Sequence, residues 1–429
     1  MTDYSFAFTL LFSAALLLGL LTRFYLASRQ IRHVSLHRGK VPAAFASTIA
    51  LASHQKAADY TIAKARFGML EMAFAAAVLL GWTLLGGIDT LNQALLHSGL
   101  AGYGSLAPQL ALLAIFGVVS GLLDLPFTLY STFRLEERFG FNKMTLRLWL
   151  ADMVKSTALG LVIGLPIVAL ILWLMGSAGN WWWLWAWAVW MAFNLLVLVL
   201  FPTVIAPLFN KFKPLDDEAL KARVTALMQR CGFAAKGLFV MDGSKRSAHA
   251  NAYFTGFGAA KRVVFYDTLL RQLNPAEVDA VLAHELGHFK HKHIIKRIAL
   301  MFAISLAGFA LLGWLSSQVW FYTGLGVQPN VNVANDALAL LLFLLVTPLF
   351  SFFVSPLMAQ FSRKHEFEAD AYAMAQTDGR DLQSALLKLY QDNASTLTPD
   401  PVFVKFYYSH PPASERLRRM TPSLETAAS

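Results

Sequence analysis

The sequence has a single cysteine, Cys231, and few charged residues for its length. One cysteine excludes an internal disulfide bond and a zinc site built from several thiolates. Charged residues make up only 14% of the 429 positions, whereas hydrophobic residues make up 56%. That balance is too apolar for the two or three soluble domains that the length would allow. The composition therefore predicts a mainly α-helical, polytopic membrane protein.

The sequence contains several long runs of apolar residues with few charged residues among them. Seven of them approach the roughly 20 residues that an α-helix needs to cross a bilayer. They lie near residues 5–25, 68–88, 107–130, 157–176, 183–206, 298–320 and 337–358. The start of the fifth run is the least defined, because the tryptophans between Trp181 and Trp190 are typical of a membrane interface.

Three loops between these runs contain no Lys or Arg at all. They are 89–106, 177–182 and 321–336. The loops 26–66 and 131–156, by contrast, are strongly basic. This pattern predicts an amino terminus outside and a carboxy terminus in the cytoplasm. It also accounts for the net charge of +10, so we expect membrane lipid, and no nucleic acid, as the partner of the basic loops.

Residues 284–288 read His-Glu-Leu-Gly-His and follow a run with helical spacing of its apolar residues. On a helix, His284 and His288 lie on nearly one face, so both imidazoles can bind one tetrahedral zinc ion. Glu285 is placed to act on a zinc-bound water, whose pKa falls to roughly 7. Gly287 lowers helix stability by roughly 1 kcal/mol relative to Ala, which indicates a close approach of backbone or ligand. The motif predicts peptide hydrolysis, and a helix with solvated histidines is the alternative.

A catalytic zinc ion needs a third protein ligand and one open position. His291 and His293 are near in sequence, but on a continuous helix both point away from the face of His284. A metzincin-type third histidine is excluded because position 294 is Ile. A ligand from elsewhere in the chain is therefore the better candidate.

Residues 366–370 read Glu-Phe-Glu-Ala-Asp and place Glu366 and Asp370 on one helical face. Glu366 can bind the metal, while Asp370 accepts the free N–H of a ligand histidine. The alternative for such a cluster is a solvated helix face, and we adopt that interpretation for Glu368. His365 is expected beside the site or at the surface rather than as a ligand.

The segment between the fifth and sixth apolar runs predicts a small α+β zinc-peptidase portion. Residues 215–232 have the pattern of an amphipathic helix, and 237–241 and 262–266 are rich in β-forming residues. A strand beside a zinc-binding helix commonly pairs with an extended substrate. The chain thus divides into four regions. These are an N-terminal membrane region of five spans (1–206), a cytoplasmic metallopeptidase portion (207–297), two further spans (298–358) and a C-terminal cytoplasmic segment that completes the active site (359–429).

Motifs outside residues 284–288 follow one another in the order of a known family. They lie at 129–133, 137–143, 202–215, 245–256, 267–270, 362–373, 409–412 and 415–417. Together with the metal motif, these blocks resemble the type I CAAX prenyl protease family of integral-membrane zinc metalloproteases. The resemblance implies a ring of about seven long helices around a large water-filled chamber, with the zinc site facing inward.

The resemblance also implies roles for individual residues. One zinc ion per chain is implied, and its ligands would be His284, His288 and Glu366. Glu285 would be the general base and then the general acid, while Asn251 and His410 would contact the substrate or stabilise the oxyanion. A turn histidine before two prolines is the alternative for His410, and Arg416 is interpreted as a structural ion-pair residue near the site. The family usually has Ser at the position of Ala250, which removes one possible hydrogen bond.

The predicted function is hydrolysis of peptide bonds near the carboxy terminus of CAAX-like, prenylated or membrane-associated substrates. The richness in Ala, Leu and Trp favours a bacterial relative in the inner membrane, and a eukaryotic chain would lie in the endoplasmic reticulum membrane. Bacteria do not prenylate proteins in that way, so a broad quality-control protease for misfolded or stalled membrane proteins is an alternative. A site-2-type intramembrane protease is disfavoured because charged residues accompany the zinc helix. A membrane scaffold or chaperone would have no need of Glu285.

Overall fold

The structure is a computed structural model that describes residues 3–234, 237–255 and 262–428, with side chains as far as Thr421. Gly256, the last residue of one family motif, lies outside the described residues. The α-helices in chain order are α1 (Asp3–His37), α2 (Leu51–Trp82), α3 (Gly87–Leu96), α4 (Leu106–Tyr130), α5 (Leu146–Leu159), α6 (Leu165–Ser177), α7 (Trp182–Leu200), α8 (Ala206–Phe209), α9 (Glu218–Arg230), α10 (Asp267–Gln272), α11 (Pro275–Lys290), α12 (His293–Leu315), α13 (Val319–Thr323), α14 (Asp336–Ser351), α15 (Ser355–Gln376), α16 (Gly379–Asp392), α17 (Pro401–Tyr407) and α18 (Ala413–Ala428).

In the described part of the chain, seven helical segments are long and apolar enough to cross a membrane. They are Asp3–His37, Leu51–Trp82, Leu106–Glu136, Leu146–Ser177, Gly179–Phe209, His293–Leu315 and Asp336–Gln376. The predicted mainly α-helical, polytopic fold with seven spans is therefore confirmed. Five of the segments have 31 to 35 residues. At a rise of 1.5 Å per residue they are roughly 50 Å long, whereas the hydrocarbon core is about 30 Å thick.

The predicted end of the second span, residue 88, was wrong. The apolar run continues through Leu85, but α2 ends at Trp82. Gly86 then adopts a φ of +82° and α3 begins at Gly87. This left-handed backbone conformation costs Gly little, so the chain can turn inside an apolar stretch that hydropathy treats as one span.

The seventh span and the helix after it form one long helical segment. Helix α14 continues through a 3₁₀ turn at Phe352–Val354 into α15, so that the segment Asp336–Gln376 has 41 residues. Pro348 lies within α14, where a proline removes a helix hydrogen bond and favours a bend. The predicted third metal ligand, Glu366, is therefore carried on an extension of a membrane span.

The soluble portion contains a four-stranded sheet. Its strands are β1 (Phe212–Pro214), β2 (Gly237–Met241), β3 (Ala252–Thr255) and β4 (Arg262–Tyr266). Their order is β1-β2-β4-β3, with β2 and β4 parallel and the other pairs antiparallel. The two predicted strands are confirmed as β2 and β4, and the predicted amphipathic helix corresponds to α9. Strand β3 was not predicted, and it lies at an edge of the sheet.

Helix α11 carries the metal motif and is fixed at its start. Asn274 caps it by accepting a hydrogen bond from the backbone N–H of Glu277, and the Glu277 carboxylate accepts one from Asn274 N–H. The same carboxylate accepts hydrogen bonds from Ser384 and Lys388 of α16. Burial alone would raise the pKa of Glu277, but these bonds hold the pKa below its usual range. The motif helix is thus tied to α16 as well as to the sheet.

Candidate metal centre

Two helices bring the three predicted ligands together. His284 and His288 lie on α11, and Glu366 lies on α15. The Nε2 atom of His284 is 3.4 Å from Oε2 of Glu366, and the Nε2 atom of His288 is 3.4 Å from Oε1 of the same carboxylate. One nitrogen from each ring and one carboxylate oxygen therefore lie within 4.8 Å of one another. The spacing of four residues in α11 provides this convergence, because it places both rings on one helical face.

The residues present fit a zinc ion. The side chain of Glu366 is only 5% exposed, yet its Oε2 atom has no hydrogen-bond partner among the described residues. A buried carboxylate oxygen without a donor is costly, and a cation at this point would satisfy it. Two imidazoles and one carboxylate are also a ligand set typical of catalytic zinc, with the fourth position left for water or substrate.

His284 is oriented by a buried ion pair. Its Nδ1 atom lies 2.8 Å from Oδ1 of Asp370, and Arg416 donates from Nε to Oδ2 of Asp370 at 2.8 Å and from Nη2 to Oδ1. The carboxylate thus accepts the Nδ1–H, which leaves Nε2 facing Glu366. Burial lowers the pKa of His284, but the hydrogen bond to Asp370 and the nearby Glu366 carboxylate outweigh it and raise the pKa to about 9. The two carboxylates therefore favour positive charge beside Nε2, as a bound metal ion would supply.

Glu285 lines a small pocket at the same place. The pocket has a volume of about 150 Å³ and is shared with His284, Glu366, Asn251 and His410. The Glu285 side chain makes no hydrogen bond or ion pair with another residue in the described ranges. Its carboxylate is therefore free to contact a molecule bound in the pocket.

Asn251 and His410 reach this pocket from two loops. Asn251 immediately precedes β3, and its Oδ1 accepts a hydrogen bond from the backbone N–H of Ala252 at 2.8 Å. The Nε2 atom of His410 lies 3.4 Å from Oε1 of Glu366, and the side chain is 65% exposed. Tyr390 supports the His410 loop by donating its hydroxyl to the carbonyl of Pro411 at 3.4 Å. Both predicted substrate-contacting residues thus lie beside the candidate ligands.

A second, larger cavity adjoins the site. It has a volume of about 810 Å³ and lies between α1, α2 and the C-terminal segment. Arg23, Lys64 and Glu71 contribute charged side chains to its wall, and His410 lines both this cavity and the small pocket that contains Glu285. His410 therefore stands where the large cavity meets the candidate metal centre.

His293 and Glu368 lie near the site and were not predicted to take part, whereas His365 lies beside the site as expected. The helix is not continuous after the motif, because α11 ends at Lys290 and Lys292 has a φ of +57°. His293 turns back, and its Nδ1 atom lies 2.9 Å from Nδ1 of His288. The prediction that Glu368 lies on a solvated helix face was wrong, because its Oε2 lies 2.8 Å from Nε2 of His293. His365 stacks on His293 at 3.9 Å.

The polar run 290–293 between the motif and the sixth apolar stretch was the one sequence signal for a break in the helix. His291, which was set aside together with His293, stacks against the latter at 5.5 Å. Neither residue belongs to the group of three formed by the predicted ligands. His291 and His293 were set aside by assuming a continuous helix, which the structure does not have. Glu366 remains the candidate third ligand, because it is the residue grouped with His284 and His288.

Gly287 allows α11 and α15 to touch through their backbones. A Cβ atom at Gly287 would lie 2.9 Å from the Cα and 3.1 Å from the carbonyl oxygen of Ala369. The close approach predicted from the sequence is therefore confirmed, and its partner is the backbone of α15. This contact sets the separation of the two helices that carry the candidate ligands.

Replacing Gly287 with Ala is expected to lower both the melting temperature and the affinity for zinc. Overpacking costs roughly 1–3 kcal/mol, which exceeds the roughly 1 kcal/mol that Ala gains over Gly in a helix. Thermal unfolding and a zinc titration measure the two effects. Gly308→Ala is the matched control, because Gly308 is helical and has open space beside it. A melting temperature equal to or above that of the unsubstituted protein contradicts the contact.

Comparison with known proteins agrees with this architecture. Residues 30–211 match the family described as CAAX prenyl protease N-terminal, five membrane helices, and residues 214–423 match peptidase family M48. CAAX prenyl protease 1 of Saccharomyces cerevisiae is 35% identical over 413 residues, which cover 92% of this chain and 90% of the yeast protein. The CAAX prenyl protease 1 homolog of Arabidopsis thaliana is 38% identical over 324 residues, 75% of either chain.

A solved structure extends the similarity to three dimensions. The crystal structure of S. mikatae Ste24p matches with a TM-score of 0.89 at 33% identity, and the match covers 96% of this chain and 98% of that chain. The similarity therefore includes the first hundred residues, which precede all the family motifs found in the sequence. The chain belongs to peptidase family M48, among the CAAX prenyl proteases, and is a membrane-embedded metallopeptidase.

Proposed function

We propose that this metallopeptidase binds one zinc ion through His284, His288 and Glu366 and hydrolyses peptide bonds near the carboxy terminus of its substrates. The convergence of two imidazole Nε2 atoms on both oxygens of one buried carboxylate carries the proposal. Glu285 lies beside them as an unpaired carboxylate. This is the ligand set and the base that zinc-dependent hydrolysis requires.

The side chains of the pocket have separate tasks. Zinc, when bound, supplies Lewis acidity and makes a water molecule acidic enough to lose its proton near neutral pH. Glu285 accepts that proton and later donates it to the leaving amine. The side-chain N–H groups of Asn251 donate to no described residue, so they are available to the substrate carbonyl oxygen as negative charge develops on it. His410 lines the same pocket and provides a further contact to the substrate.

The edge strand β3 supports binding of an extended peptide. Among the described residues it pairs with β4 on one side only, and it begins directly after Asn251. A peptide laid along the other side of β3 can form backbone hydrogen bonds with it, as in other cases of strand addition. The scissile bond of such a peptide would pass the pocket that contains Glu285.

An apolar cavity supports a prenylated substrate, the class named for the relatives. It has a volume of about 300 Å³, lies between α1, α2 and α14, and is lined mainly by Leu and Ala side chains. Arg23 and Met72 line both this cavity and the larger one that reaches His410. An isoprenoid chain can therefore occupy the apolar cavity while the peptide attached to it extends towards the metal centre.

A farnesylated CAAX reporter peptide tests this proposal against the same peptide without the prenyl group. We expect faster cleavage of the farnesylated peptide by the purified protein. Gly19 lines the apolar cavity and has open space beside it. Gly19→Leu should lower kcat/KM for the farnesylated peptide about tenfold, because two methylene groups excluded at roughly 0.8 kcal/mol each amount to that factor.

The unprenylated peptide should be cleaved at the same rate by Gly19→Leu and by the unsubstituted protein. Gly308→Leu is the matched control, because this glycine has open space but lines neither cavity. If Gly19→Leu lowers kcat/KM equally for both peptides, the prenyl group binds outside the apolar cavity. Equal cleavage of both peptides by the unsubstituted protein favours instead the quality-control protease of broad specificity.

The proposal includes an orientation in which the metal centre and the carboxy terminus face the cytoplasm. The basic loops 26–66 and 131–156 support it. His284 in segment 207–297 contacts Glu366 in segment 359–429. This contact supports placing both segments on the same side of the membrane. The bacterial inner membrane, which the composition favours, stays a prediction.

A further inference from the structure

His288 has a polar partner behind it that was not predicted. Its Nε2 atom faces Glu366, while its Nδ1 atom lies 2.9 Å from Nδ1 of His293. The Nε2 atom of His293 in turn lies 2.8 Å from Oε2 of Glu368. Glu368, His293 and His288 thus form a chain that starts at a carboxylate on α15 and ends at the nitrogen facing the metal position.

The positions of the protons follow from the ends of this chain. An ionised carboxylate only accepts hydrogen bonds, so Glu368 takes the Nε2–H of His293. A neutral imidazole then has a lone pair on Nδ1, and this atom accepts the Nδ1–H of His288. The remaining lone pair of His288 is on Nε2, which is the atom that must bind a metal ion.

The surroundings hold this chain in place. The His293 side chain is only 4% exposed, and Lys364 lies 3.9 Å from Oε1 of Glu368, which favours the ionised carboxylate. His365 stacks on His293 with the ring planes 11° apart. The ring of His293 therefore has little freedom to turn its nitrogens away from His288.

We infer that His293 and Glu368 are positioning residues that fix the tautomer and orientation of His288 as a metal ligand. The inference rests on the proposed zinc site. It gives each histidine ligand its own carboxylate on α15: Asp370 serves His284 directly, and Glu368 serves His288 through a second imidazole. Such outer partners typically contribute about 10- to 100-fold to metal affinity.

A second metal ion is the competing interpretation of this cluster. One ligand atom from each of His293, His365 and Glu368 lies within 4.8 Å of the others. A metal ion, however, lies close to the plane of each imidazole that binds it. The rings of His293 and His365 are stacked nearly parallel with their centroids 3.9 Å apart, so the two planes cannot share one ion. The geometry favours the hydrogen-bonded chain.

Four variants of the full-length protein separate orientation from general structure. His293→Leu and Glu368→Ala remove an acceptor from the chain, and we expect zinc affinity to fall about 10- to 100-fold. His293→Asn keeps an acceptor, because the amide oxygen of Asn lies about where Nδ1 stands. Glu368→Gln also keeps an acceptor for the Nε2–H of His293. We expect both conservative variants to retain most of the affinity.

Zinc affinity is measured by competition with a chromophoric chelator, and Co(II) absorption spectra report the ligand geometry. Thermal unfolding of the metal-free proteins identifies variants that fail to fold. If His293→Leu does not fold, the pair Glu368→Ala and Glu368→Gln still decides the outcome. Affinities and spectra that do not differ between the disruptive and conservative variants overturn the inference.

His365→Phe is the matched control, since Phe preserves the stacking on His293 but cannot bind a metal ion. We expect one zinc ion per chain in the unsubstituted protein and in this variant. Two zinc ions in the unsubstituted protein, with one lost in His365→Phe, establish the second metal site and overturn the inference. Absence of zinc binding in the unsubstituted protein would instead contradict the proposed function itself.

Discussion

Replacing Glu285 with Gln is expected to abolish peptide cleavage while the zinc ion remains bound. Glu285 lines the catalytic pocket but is not one of the three converging ligands. Gln has almost the same shape as Glu and cannot accept a proton at neutral pH. Loss of a general base typically slows a reaction by about 10²- to 10⁴-fold. We therefore expect kcat on the farnesylated reporter to fall by a factor in this range.

Metal analysis of the same sample distinguishes the chemical role from a structural one. A zinc content of one ion per chain in Glu285→Gln is the expected result. Glu277→Gln is the matched control, because Glu277 is a carboxylate at the start of the same helix that binds Ser384 and Lys388, outside the pocket. It should lower thermal stability and leave catalysis at saturating substrate intact. Unimpaired cleavage by Glu285→Gln means that another group is the base.

Replacing Glu366 with Ala is expected to remove both zinc and activity. This residue provides the one carboxylate among the three converging groups, and its buried Oε2 has no other partner among the described residues. Losing a direct ligand should weaken zinc binding by more than the about 10- to 100-fold that an outer partner contributes. Cleavage should then be undetectable at zinc concentrations that saturate the unsubstituted protein.

Thermal unfolding with and without zinc measures the loss independently of activity. At a free zinc concentration 100 times its Kd, the unsubstituted protein should gain about 2.7 kcal/mol of stability. Glu366→Ala should gain nothing at that concentration. Glu71→Ala is the control, because Glu71 lines the adjoining cavity without belonging to the metal centre. A zinc-dependent increase in stability that survives in Glu366→Ala assigns the ion to other residues.

The features that the sequence predicted well depend on local patterns. Seven spans follow from apolar runs, and strands β2 and β4 follow from short β-rich segments between polar stretches. His284 and His288 could be placed on one face because four residues advance a helix by about one turn. Each of these predictions needs only neighbours in the sequence.

The features that were missed depend on contacts between distant parts of the chain. The motif helix ends at Lys290, before Lys292 with its φ of +57°, and the polar run 290–293 is the one sequence pattern that indicates this break. The contact between His293 and Glu368 joins residues 75 positions apart. Glu368 was interpreted as solvated because a cluster of acidic residues on a helix often faces solvent. The partner came from a neighbouring helix whose start could not be derived from periodicity.

The long segment Asp336–Gln376 has a mechanical consequence. One end lies among the spans, while the other carries Glu366 and touches Gly287 through the backbone of Ala369. If this helical segment shifts along its axis by the rise of one residue, about 1.5 Å, the Glu366 carboxylate moves relative to the imidazoles of His284 and His288. The depth of a tilted span responds to the thickness of the surrounding lipid. We therefore expect bilayer thickness to influence the alignment of Glu366 with His284 and His288.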